Sequence, residues 1–424
     1  MDSIDQQATR AVEHLTAFLH ARIVQGDHAP LQPVEVSADI YAELVKRNRL
    51  GATLYASASE IDIWPVSKEQ VADWKREAYR RAVSQPQQLH QATQLARVLE
   101  ANRVSCICMR GPFIGSRLFG DASWRPFSDV DLLVPREHAR QAWSAAETSG
   151  FELFQENMPL GYFLRHHLHW QMKHAVSGLL CDLHWAVEHP YRLYRIDYAG
   201  LFARSRMVEV DGLTWREPDP ADLFLLLAMH LKKHMPSLVR MCTADDAIQQ
   251  VFLHGEALHI VDLALLMKHD ASMLDGARLL QTAEDWQCLD ALAAGLECVA
   301  RMFAMELPGG IREAAHARIP AWQTLEAPAA AAKAASRWWA IAAFKGGFRT
   351  EKMADAWTYL NPPPAYFGDK AGPARFARRH RHQIKAAARL SFAGVDTLVS
   401  VCVALLRGKR KGPAARTNVP MGIA

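Results

Sequence analysis

Two carboxylates sit two residues apart inside an otherwise apolar run, Ser128-Asp129-Val130-Asp131-Leu132-Leu133-Val134. A strand repeats its side-chain direction every second residue, so Asp129 and Asp131 share one face and Val130, Leu132 and Val134 take the other. Two like charges held side by side repel each other, and a fold has no structural reason to prefer them. A hard divalent cation such as Mg²⁺ removes the repulsion and prefers oxygen ligands of this type. An edge strand with two solvated carboxylates gives the same pattern, so the pair alone leaves both readings open.

The surroundings narrow the choice. Residues 103–109 read as a short buried strand that runs into Arg110-Gly111-Pro112. Residues 113–119 then have helical spacing, with Gly120 as the stop. Gly111 therefore lies at a strand-to-helix turn, where a glycine lets backbone N–H groups approach a phosphate at a helix N-terminus. Downstream, residues 179–185 form another strand candidate, carrying Asp182 with His184 on the same face. A glycine turn, two acids on one strand and a third acid on a later strand suit nucleotidyl transfer, in which two cations bridge a triphosphate. Asp129, Asp131 and Asp182 are the candidate catalytic and metal-binding acids. Arg110, Gly111, Arg125 and Ser128 are the candidate nucleotide-binding residues; Arg125 offers bidentate geometry for phosphate.

These blocks resemble the DNA polymerase β-like nucleotidyltransferase superfamily, and within it the bacterial branch known only as uncharacterised nucleotidyltransferases. The resemblance rests on Met109-Arg110-Gly111, on Arg125-Pro126-Phe127-Ser128-Asp129-Val130-Asp131-Leu132-Leu133-Val134, and on Cys181-Asp182-Leu183-His184-Trp185. It extends to His230-Leu231-Lys232-Lys233-His234 and to Val261-Asp262-Leu263-Ala264-Leu265-Leu266, and covers residues 95 to 270 best. Two positions depart from the usual pattern. Arg110 stands where that branch usually has lysine, which keeps the charge and changes its geometry. Pro112 stands where the wider superfamily has serine or glycine, which removes one backbone donor. The resemblance implies an enzyme that moves a nucleoside monophosphate from an NTP to an acceptor hydroxyl, with Mg²⁺ or Mn²⁺ as cofactor. The acceptor is open: a small molecule, a protein or tRNA. The alternative is a non-catalytic protein that keeps the fold and binds a nucleotide or a partner.

Length sets the organisation. With 424 residues, two to three domains are expected. The expected fold class is α+β: a small mixed β-sheet core of the nucleotidyltransferase type at 96–216, an N-terminal helical region at 1–95, a helical domain at 217–330 and a C-terminal region at 331–424. The N-terminal region is expected to break around Pro86, and residues 163–174 with 179–185 read as a hairpin carrying the third acid. Pro218-Asp219-Pro220 is a helix start. A net charge of +4 is too small to imply nucleic-acid binding by itself. The seven cysteines are scattered without zinc-knuckle spacing, and the acidic N-terminus has no apolar signal region, so the reducing cytoplasm is the default compartment.

Histidines form a second pattern. His230 and His234 lie one helical turn apart, but Leu231 occupies the position where a zinc protease needs its glutamate; the resemblance, which includes this segment, implies a helix turning its histidine face towards the nucleotide cleft. His184, His230 and His234 are candidates for supporting or substrate contacts. His166, His167, His169 and His174 crowd one segment and read as a satisfied or solvated cluster, with a substrate contact as the alternative. Asp262, in an apolar helix, reads as a packing or capping acid. Finally, residues 390–406 are mostly apolar between basic flanks. Two readings stand: an amphipathic helix making peripheral contact with the inner membrane through 390–411, or a terminal helix docked on the body.

Overall fold

The apolar alternation at 130–134 and 179–185 becomes the middle of a five-stranded sheet. The computed structural model describes residues 3–26, 31–57, 64–154, 160–188, 194–235, 245–271, 274–305, 310–320, 378 and 380–385. The tail segment 390–411 lies outside the described residues. The strands are β1 (Ile107–Cys108), β2 (Val130–Leu133), β3 (Phe151–Leu153), β4 (His169–His174) and β5 (Leu180–His184), in the order β1-β2-β5-β4-β3. Only the β2–β5 pair is parallel; β1–β2, β5–β4 and β4–β3 are antiparallel. The fold is mixed α+β, as expected.

Chain alternation divides the central strands into two faces. Val130 and Leu132 of β2, Cys181 and Leu183 of β5, and Trp170 and Met172 of β4 are all buried on one face. They pack against Leu89, Leu95 and Leu99 of helix α4 (Lys68–Ala101) and Ala142, Trp143 and Ala146 of helix α6 (Ala139–Thr148). Burying each such side chain contributes roughly 1.5–3 kcal/mol. The opposite face carries the acids.

Helices supply the rest. In chain order they begin with α1 (Ile4–Phe18), α2 (Ala38–Arg47), α3 (Gly51–Ser57), α4 (Lys68–Ala101) and α5 (Pro112–Phe119). Beyond α6 come α7 (Leu160–His166), α8 (Tyr198–Arg204), the hairpin β6 (Arg206–Val210) and β7 (Leu213–Glu217), and α9 (Pro220–His234). Helices Ala247–His254, Ala257–His269, Gly276–Asp285, Leu289–Phe303 and Ile311–Arg318 follow. Leu15 and Phe18 of α1, Tyr41 of α2 and Leu54 of α3 share one apolar cluster with Phe224 of α9, Leu263 and Leu292. Ile107 and Leu133 join that cluster from the sheet, so the helical half docks on the end of the acid-bearing face. Asp219 caps α9 by accepting from the Ala221 amide, as the Pro-Asp-Pro start implies.

Two local expectations change. Helix α4 runs unbroken through Pro86. Its start carries a reciprocal cap, with Ser67 accepting from the Gln70 amide and Gln70 accepting from the Ser67 amide. Its far half is held by the sheet, and this packing outweighs the lost backbone bond and ring clash that cost about 3 kcal/mol in an isolated helix. Residues 160–166 are helical, so the hairpin is β4–β5 alone and begins at His169.

Candidate active site

The register of the sheet brings the acids together. Asp131 on β2 is the direct partner of Asp182 on β5, and Asp182 in turn faces Gln171 on β4. Register partners on neighbouring strands project to the same side, with strands about 4.8 Å apart. Asp129 lies two residues before Asp131, just ahead of β2, and is partly exposed. Asp131 and Asp182 are each 8% exposed. The next row on this face is His184 of β5 opposite His169 of β4, their ring centroids 4.7 Å apart.

Gly111 sets the turn beneath this face. Its φ is +78°, and it precedes α5 with Pro112 in the first helical position. A Cβ at Gly111 would stand 2.5 Å from the Asp129 carbonyl oxygen, so only glycine lets the turn approach the acid strand. Ser128 is exposed, and its hydroxyl donates to Asp129 Oδ1 at 3.0 Å.

The arginines are placed differently from each other. Arg110 donates from Nη2 to Asp131 Oδ1 at 2.9 Å, and its Nη1 contacts His230 Nδ1 at the end of α9. Arg125, expected to hold phosphate, does not face the acids with a vacant guanidinium. Its Nε and Nη2 each donate at 2.6 Å to the two oxygens of Asp262, a residue with no exposed surface. The planar guanidinium matches a carboxylate in two parallel bonds, and that buried partner takes the geometry assigned to phosphate. Asp262 is therefore an ion-pairing acid.

Electrostatics follow from this layout. Burial pushes the Asp182 carboxyl up to about 6, with the charges of Asp131 and Asp129 adding to the rise against the opposing pull of His184. Burial and the neighbouring Asp131 also raise Asp129. Burial acts upwards on Asp131 too, but there the Arg110 charge and the His184 hydrogen bond win and hold it well below the usual carboxylate range. His169 is driven down to about 2 by burial and by His184, so it is a neutral imidazole.

The expected histidine pair on α9 is joined by a third. His230 lies 4.7 Å from His234 and 4.9 Å from His259 between ring centroids, and Glu256 sits 3.7 Å from His234 Nδ1. Through Arg110 this cluster touches the acid face. In the sequence His169 reads only as one of a crowded histidine group, Gln171 carries no signal, and neither does His259. The first two become visible only once β4 is registered against β5, placing Gln171 opposite Asp182 and His169 opposite His184.

Oxygen donors crowded on one face in this way are the ligand type that hard cations prefer. Residues 35–304 match the uncharacterised nucleotidyltransferase family, which spans most of the chain. The protein belongs to that family. No functionally curated protein matches the sequence. Among solved structures, the chain is similar to the antibiotic-resistance factor ANT(2'')-Ia, with 14% identity over 45% of this chain and 93% of that one, at a TM-score of 0.26. It is also similar to an antigenic nucleotidyltransferase-like protein from Paracoccidioides brasiliensis, with 14% identity over 52% of this chain and 93% of that one, at a TM-score of 0.31.

Proposed function

We propose that this protein transfers a nucleoside monophosphate from an NTP to an acceptor hydroxyl, with release of pyrophosphate. The observation that carries the reading is the pairing of Asp131 with Asp182 on one sheet face, with Asp129 two residues upstream. The donor set fits Mg²⁺: three carboxylates crowd one face, with Arg110 paired to Asp131. Mg²⁺ bound there would screen the triphosphate charge and polarise the phosphoryl group under attack. Asp129, Asp131 and Asp182 would hold it. The Gly111 turn would seat phosphate oxygens against the first-turn amides of α5 that follow Pro112. Arg110 would exchange its bond to Asp131 for a phosphate oxygen. Arg125 would act at one remove, tying the loop before β2 to helix Ala257–His269 so that Asp129 is held in place.

The test is transfer of label from each α-labelled NTP to an acceptor in cell lysate, with purified protein and Mg²⁺. Removing a carboxylate that binds a metal forfeits several kcal/mol of transition-state stabilisation, so Asp129→Ala and Asp131→Ala should lose at least about 100-fold in rate. Full labelling by both variants would sink the reading. One observation favours the non-catalytic alternative: Arg110 is already engaged by Asp131 and His230. Calorimetry separates the two, because tight Mg²⁺-NTP binding without transfer to any acceptor would establish a binding protein.

A further inference from the structure

The acid face also carries nitrogen donors, which an all-oxygen magnesium site does not need. His169, Asp182 and His184 each offer a ligand atom, and the three atoms lie within 4.8 Å of one another. The orientation of His184 is informative. Its Nδ1 lies 3.1 Å from the Ala186 carbonyl oxygen, which can only accept, so Nδ1 carries the hydrogen. Nε2 faces Asp131 Oδ1 at 2.8 Å, where a proton makes the hydrogen bond described above and a metal ion would replace that proton. Two lone pairs at that spacing need a proton or a cation to hold them together. Ligand atoms bound at about 2.1 Å and set at right angles around one ion lie about 3 Å apart, which the pair already approaches.

Two more features agree. His169 Nε2 is 3.5 Å from Asp182 Oδ2, and its Nδ1 is buried with no hydrogen-bond partner among the described residues. Gln171 donates to Asp182 Oδ1 at 3.2 Å, which orients the other carboxylate oxygen towards His169. Imidazole nitrogen favours first-row transition ions over Mg²⁺, whose preferred ligands are oxygens.

We propose that His169, Asp182 and His184, with Asp131 Oδ1 alongside, form a mixed nitrogen–oxygen centre that takes a first-row transition dication in preference to Mg²⁺. It rests on the nucleotidyl-transfer reading in one respect, that Asp182 is a metal ligand in both. One metal position of the site would then be filled by a transition ion and the other, at Asp129 and Asp131, by a harder ion.

The probe is Mn²⁺ alone, added in substoichiometric amount to the full-length, chelator-stripped protein without nucleotide. Electron spin-echo modulation should show directly bound imidazole ¹⁴N, and a 100-fold excess of Mg²⁺ should leave the signal in place. His169→Gln, at a half-buried position, should weaken Mn²⁺ binding at least about tenfold and reduce the nitrogen modulation, with an unchanged melting profile confirming the fold. Bound Mn²⁺ with no nitrogen coupling would overturn the proposal and make His184 an imidazolium partner of Asp131. Displacement by equimolar Mg²⁺ would overturn it as well. Neither result touches the nucleotidyl-transfer reading, which falls only if labelling survives loss of Asp129 and Asp131. Conversely, nitrogen-coupled Mn²⁺ in a protein that labels nothing would uphold the centre and remove the enzyme.

Discussion

Two of the regions that bury carboxylates in this molecule differ in charge balance. At the seam between the sheet and the helices, each acid has its own cation. Arg125 pairs with Asp262, and Arg204 donates to both oxygens of Asp222 at 2.9 and 3.1 Å. Arg117 and Arg206 both contact Glu217 and Asp270, closing a ring of two cations and two anions between α5, the β6–β7 hairpin and helix Ala257–His269. On the sheet face, Arg110 pairs with Asp131, while Asp129 and Asp182 are both raised by burial and by the neighbouring carboxylates. Burial therefore does not mark the site, because the seam buries acids more deeply: Asp262 and Asp222 have no exposed surface. Surplus negative charge marks it. A seam that neutralises itself serves the fold, whereas a face with surplus negative charge is where the proposed cation would relieve the most repulsion.

The widest split between the regions should appear when one partner of a seam pair is removed. Asp262→Ala leaves the Arg125 guanidinium buried and unpaired, and should cost about 3–5 kcal/mol in denaturant unfolding. The double replacement Arg125→Met with Asp262→Leu should recover most of that loss, since an apolar pair of similar volume is close to neutral. A small effect of Asp262→Ala would mean that the pair is hydrated and the seam is not closed. Next in size is Gly111→Ala. The backbone at φ +78° and the Asp129 carbonyl 2.5 Å from the new Cβ should together cost about 3 kcal/mol and weaken NTP binding measured by calorimetry. Unchanged stability and NTP affinity would show that the turn can open away from β2.

Adding Mg²⁺ to chelator-stripped protein probes the surplus charge itself. At about 100 times its Kd the ion should stabilise the fold by about 2.7 kcal/mol, which for a body of this size is several degrees in Tm. Asp131→Asn should abolish that gain, while the seam variant Glu217→Gln should keep it. Equal gains in both variants would place cation binding somewhere other than the sheet face.

What the chain revealed in advance was local. Strand period alone put Asp182 and His184 on one face, and the β-carrying acid run and the Gly111 turn needed only neighbours within a few residues. The partners of these residues come from far away in sequence. Arg125 reads as a phosphate ligand until helix Ala257–His269 delivers Asp262, 137 residues later. His169 reads as one histidine among several until hairpin register sets it against His184. Pro86 reads as a break because propensity is local, whereas the packing that carries α4 through it is tertiary.

The smallest predicted effect is also the one that most directly separates the two regions, because its sign reverses. Neutralising one acid in an unbalanced cluster relieves repulsion, whereas neutralising one in a balanced ring removes an attraction. In chelator at pH 7, Asp182→Asn should therefore raise stability by roughly 1 kcal/mol, the usual exchange of stability against function at a charged site. Asn keeps the side-chain shape, so its fit beside Gln171 changes little. Glu217→Gln, also nearly isosteric, should lower stability, because Arg117 and Arg206 then face Asp270 as the ring's sole remaining anion. Saturating Mg²⁺ should erase the advantage of Asp182→Asn, since the cation relieves the same repulsion in the unaltered protein. If both substitutions destabilise in chelator, the sheet face is already neutralised by the protein's own groups, and a cation from outside is not what its charge calls for.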